Sequence, residues 1–173
     1  MKIPVHIEPA AGALPEVDYR WDADTEILIA AMRPNGGGKG TPSAPGSLES
    51  VEIVGSDGSW LVLDVDGGRI SGIEVAVWPD VRTLATLTPP ADAPEVHAVV
   101  APRRAGAAVE VDAPLAADAD AAERTIHFRV GARRQTRAVR IARDVLLDVD
   151  ASDHVAGVWL LNVPPLQADP ADL

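Results

Sequence analysis

The chain contains no cysteine, which excludes disulfides, thiolate catalysis and thiolate-bound metals. Aromatic side chains are scarce, with one Tyr, one Phe and four Trp. Apolar volume must therefore come from Ala, Val, Leu and Ile, and a thin core of β-branched side chains is expected. Basic residues are outnumbered, 15 Lys and Arg against 26 Asp and Glu, for a formal net charge of −11. That balance argues against attachment to nucleic acid, where Lys and Arg must displace counterions from the phosphate backbone. No apolar run approaches the roughly 20 residues of a membrane helix. Residues 1–10 also lack the apolar segment of a signal peptide. The expectation is a cytoplasmic protein with no membrane and no nucleic-acid partner.

Turn formers are abundant, with 14 Gly and 15 Pro in 173 residues. Between them lie short apolar runs that alternate with period 2, the mark of half-buried strands. Strands are expected at 3–8, 17–21, 26–32 and 48–54, with a flexible Gly/Pro loop at 33–47. A hairpin then runs from Trp60 to Trp78 around Asp66-Gly67-Gly68. Its alternation sets Leu61, Leu63 and Val65 on one face with Ile73, Val75 and Val77. Asp64, Asp66 and Glu74 take the opposite parity. Residues 79–94 read as loop, and 113–122 as a helical turn or loop. Residues 95–101 and 107–111 suggest a hairpin across 102–106, with further strands at 124–130 and 137–142.

A second hairpin from Asp144 to Val163 repeats the first. Asp148-Val149-Asp150 matches Asp64-Val65-Asp66, and Gly157-Val158 matches Gly72-Ile73. The expected fold is mainly β with little helix. Two repeated small units, 1–79 and 95–164, are joined by a linker at 80–94 and followed by a tail at 165–173. Their antiparallel sheets would pack on each other or run on as one.

An opening motif precedes each hairpin. Trp21-Asp22-Ala23-Asp24 with Ile27-Leu28-Ile29 opens the first, and Asp118-Ala119-Asp120 with Ile126-His127-Phe128 opens the second. In these motifs the chain resembles the small bacterial domain of unknown function family 2283, in two divergent copies. The first copy has a turn one residue shorter than the family's, and the second has Trp159 where the family has Glu. The resemblance implies a compact β domain and no known chemistry. Some members of that family look like partners of small toxin-like proteins.

Few residues suggest catalysis. The run Gly36 to Thr41 resembles a phosphate loop, but Gly40 separates Lys39 from Thr41 and Pro42 blocks the helix such a loop needs. His6, His97, His127 and His154 share no ligand-like spacing, and no nucleophile elbow is present. No catalytic residue, metal site or cofactor is expected. Arg129, Arg133, Arg134, Arg137, Arg140 and Arg143 concentrate basic charge, which is read as pairing with acidic neighbours such as Asp118, Asp120 and Glu123 across a sheet. The alternative for this cluster is a docking patch for an acidic partner or phosphate.

The functional expectation is a non-enzymatic protein-interaction domain, an antitoxin- or immunity-like neutralising partner of a basic protein. Asp64, Asp66, Glu74, Asp148 and Asp150 form its expected interaction face. The alternative is a small-ligand or divalent-metal module using the same hairpin-end carboxylates. Self-association as a homo-oligomer through edge strands is a further expectation.

Overall fold

The computed structural model describes residues 2–33, 48–100 and 108–166. Among them are fourteen strands and no helix. The first seven are β1 (Val5–Pro9), β2 (Glu16–Asp22), β3 (Ile27–Arg33), β4 (Leu48–Val54), β5 (Trp60–Asp66), β6 (Arg69–Val77) and β7 (Val81–Leu84). The remainder are β8 (Val96–Val100), β9 (Ala108–Asp112), β10 (Leu115–Asp120), β11 (Ile126–Val130), β12 (Thr136–Ala142), β13 (Val145–Asp150) and β14 (Val155–Leu160). Alternation explains most of them. In β11, Ile126, Phe128 and Val130 are buried while His127 and Arg129 lie on the other face.

The first sheet runs β1-β8-β6-β5-β4-β9, with β3 also on β6 and β2 on β3, and one of the two sheets curls into a half-barrel. The second runs β12-β13-β14-β11-β10-β7. Two pairings, β4 with β9 and β7 with β10, are parallel, so both sheets are mixed rather than antiparallel. The sheets share one core, in which Leu28, Ile53, Leu61, Leu63 and Ile73 of the first meet Phe128, Leu147, Val158 and Leu160 of the second. Burying each such side chain contributes about 1.5–3 kcal/mol.

Several expected boundaries move. β7 falls inside the expected linker 80–94, and β10 inside 113–122, where a helical turn or loop is expected. The core face of β10 is Leu115, Ala117 and Ala119, and alanine alternating with aspartate is too weakly apolar to read as a strand. β7 is a short edge strand held chiefly by its backbone ladder to β10, with Val81 42% exposed. β8 and β9 are strands but not a hairpin: β8 pairs with β1, and β9 with β4. Two strands from the 95–164 unit thus belong to the first sheet, and one from the linker belongs to the second. In the first hairpin a bulge between Trp60 and Leu61 shifts the parity, leaving Val77 opposite Trp60 and 46% exposed.

The chain after β7 acts as a strap rather than a free linker. It leaves one edge of the second sheet at β7 and reaches the other at Glu95, which bridges Arg140 on β12. On the way Leu87 and Ala93 cover Leu146, Trp159 and Leu161 on the outer face. Hence β13 and β14 are buried on both sides. The Gly36 to Thr41 run and the tail beyond residue 166 lie outside the described residues.

Candidate functional sites on the two outer faces

The two hairpins share a local geometry. Asp64 faces Gly72 across the ladder and Asp148 faces Gly157, and in each a bulge follows the Asp directly. Each carboxylate lies over its glycine. A Cβ on Gly72 would stand 2.9 Å from Asp64 Oδ2, and one on Gly157 would stand 2.8 Å from Asp148 Oδ2.

The second Asp of the repeated pair does different work. Asp150 Oδ1 accepts the backbone N–H groups of Ser152 at 2.9 Å and His154 at 3.0 Å, and Oδ2 accepts Arg134 Nε at 2.9 Å. Burial pushes this carboxyl up, but the two N–H bonds and Arg134 outweigh it and hold the group below the usual range. Asp22 and Asp120 cap their own turns in the same way, accepting N–H groups of Asp24 and Thr25, and of Arg124 and Thr125.

The five residues of the expected interaction face therefore separate. Asp148 and Asp150 are buried and bonded inside the second sheet. Asp64 and Glu74 are half-buried on the outer face of the first sheet, and Asp66 is exposed at the end of β5. The register places Glu52 and Glu110 on the same face as Asp64 and Glu74, around Val62. Asp64 and Glu74 make no ion pair among the described residues. Burial pushes Asp64 above the ordinary carboxylate value, and burial together with the Asp64 charge does the same to Glu74.

The outer face of the second sheet carries a cleft of about 350 Å³. Asp118, 5% exposed, lies between two guanidinium groups. Its carboxylate accepts Arg82 Nε at 2.8 Å, Arg82 Nη2 at 3.2 Å and Arg129 Nη1 at 2.7 Å. Burial raises this carboxyl, but the two arginines prevail and leave it below the usual range. Beside it, His127 Nε2 meets Asp148 Oδ2 at 2.7 Å. The imidazole stacks on Trp159 at 4.0 Å between ring centres, and Trp159 Nε1 donates to both Asp148 oxygens at 3.2 and 3.3 Å. Trp159 thus fills a pocket under the strap rather than the main core. Arg134 is spent on structure, since besides Asp150 it donates to the carbonyls of Val130, Ala132 and Val155.

The expected pairing of these arginines with acidic neighbours forms at Arg129 with Asp118, Arg134 with Asp150, Arg137 with Asp153 and Arg143 with Glu16, and among the described residues none pairs with Asp120 or Glu123. Arg82 could not be anticipated, because it stands in a segment that reads as loop. His127 carried a usable signal, being on the outward parity of β11 beside Arg129. Among the described residues no three His, Asp or Glu side chains gather to hold a metal ion. The metal alternative sets a cation on each Asp-x-Asp pair, but in the second pair Asp150 is already bonded to Arg134 and to the N–H groups of Ser152 and His154. No helix among the described residues is long and apolar enough to cross a membrane. No protein-family model matches the chain, and no curated protein matches it.

Proposed function

We propose that this protein is a non-enzymatic interaction module whose acidic outer face on the first sheet binds a basic protein. The observation that carries this reading is the state of Asp64 and Glu74. Both carboxylates are partly desolvated and lie side by side with no ion-pair partner among the described residues. Asp118 and Asp150, by contrast, each have an arginine. A partner's Lys or Arg placed over Asp64 and Glu74 would supply the missing countercharge and speed the encounter. The face comprises Asp64 and Glu74 with Glu52 and Glu110, and no longer includes Asp148 and Asp150. The common Asp–Gly register and bulge of the two hairpins support divergent copies of one unit, as the resemblance to family 2283 implies. A neutralising role toward a toxin-like basic protein follows from the same resemblance.

The test is affinity capture from native cell extract at low salt, repeated at high salt, with the wild-type chain and with the Asp64→Asn/Glu74→Gln variant. A basic protein held by the wild type, released by salt and not held by the variant is the expected result. Equal capture by both chains, or capture of nothing, overturns the reading.

A further inference from the structure

We propose that the cleft on the second sheet binds an oxyanion, a phosphate or carboxylate group of a small molecule, through Arg82, Arg129 and Arg133. This site is independent of the acidic face: it lies on the other sheet and has the opposite sign. Within a chain of net charge −11, four arginines line this one cleft. Arg134 is neutralised by Asp150, which leaves Arg82, Arg129 and Arg133 facing Asp118 and Asp148, a surplus of one positive charge.

The arrangement is prepared for a ligand rather than closed on itself. Asp118 takes both guanidinium groups by one part of each fork. Nη1 of Arg82, and Nε and Nη2 of Arg129, keep their N–H groups without a hydrogen bond among the described residues. A buried carboxylate that anchors two arginines removes much of the rotamer entropy these long side chains otherwise lose on binding. The planar forks suit an anion with several oxygens. Asp148 also lines the cleft, but it is held by His127 and Trp159, so it ties up no arginine. Arg133 is exposed and makes no ion pair among the described residues, so the fold does not depend on it.

The experiment titrates the full ¹⁵N-labelled chain with inorganic phosphate and, separately, with succinate. Sodium chloride at matched ionic strength is the reference. The indole N–H of Trp159, bonded to Asp148 beside the cleft, is the local reporter. A saturating shift with phosphate or succinate, absent with chloride, is expected, and the anion that saturates first identifies the preferred group. Arg129→Gln with Arg133→Gln should weaken binding at least about tenfold, since each removes charge-assisted hydrogen bonds. Arg129→Gln also strips Asp118 of a partner, so Arg133→Gln alone is the control for folding; it should weaken binding with an unchanged melting temperature. A shift that only follows ionic strength, or an affinity the variants leave unchanged, overturns the proposal.

Discussion

Aspartate does three jobs here, and its surroundings choose among them. At Asp150 it caps a turn, at Asp118 it anchors two arginines, and at Asp64 it sits half-buried with no cation among the described residues. The third job has a measurable cost. Because the folded state raises the pKa of Asp64, the stability tied to its proton is complete below the unfolded value of about 3.9. That stability is lost as pH rises through the higher folded value. Asp64→Asn should therefore raise the melting temperature at pH 7 and leave it nearly unchanged near pH 3. With solvent screening at a half-exposed site the gain is at most about 1 kcal/mol, or about 2–4 °C in a chain of this size. Thermal melts of both chains at the two pH values check the sign. A variant less stable than wild type at pH 7 would show that Asp64 has a stabilising partner.

At the scale of elements, the two hairpins use one plan with different tolerances. Both place a glycine under an aspartate, yet the glycines are not equally replaceable. A Cβ on Gly72 meets the far end of the Asp64 side chain at 2.9 Å, and that carboxylate can swing away. A Cβ on Gly157 meets the backbone carbonyl of Phe128 at 2.6 Å, along with Asp148 Oδ2 at 2.8 Å and His127 Nε2 at 3.1 Å. Backbone in the middle of a ladder cannot move so freely. Gly157→Ala should cost about 2–3 kcal/mol by overpacking, and Gly72→Ala less than about 1 kcal/mol. Urea denaturation of the two variants checks the order. Both glycines sit between two paired strands, and the difference lies in the neighbouring carbonyl: that of Phe128 is 2.6 Å from the added Cβ, that of Ala30 is 3.5 Å from it.

At the scale of the molecule, the sheets are interleaved in sequence. β8 and β9 cross into the first sheet, β7 crosses into the second, and the aromatic donors add ties between them. Trp21 Nε1 donates to the Pro164 carbonyl at 2.8 Å, and the Tyr19 hydroxyl donates to that of Leu161 at 2.7 Å. Neither 1–79 nor 95–164 contains a complete sheet. Expressed alone, each should give the poorly dispersed amide spectrum of an unfolded chain, while the intact protein melts in one transition. Two separately folded fragments would refute this interdependence.

What could be read from the chain was local. The central hairpin, the strands at 17–21, 26–32, 48–54 and 137–142, and the aspartate-capped turns were all legible. Each is written within a few neighbouring residues, as period-2 alternation closed by Asp or Gly. Tertiary structure alone decided which strand edges meet, because alternation marks a segment as a strand without naming its neighbour. It brought Arg82, out of an apparent loop, onto Asp118 beside Arg129. It also split one repeated motif into two fates. Asp64 lies on an outer face beside Glu74, while Asp148 is roofed by Trp159 and His127, since what covers a carboxylate depends on the side chains that the neighbouring strands of its sheet bring beside it.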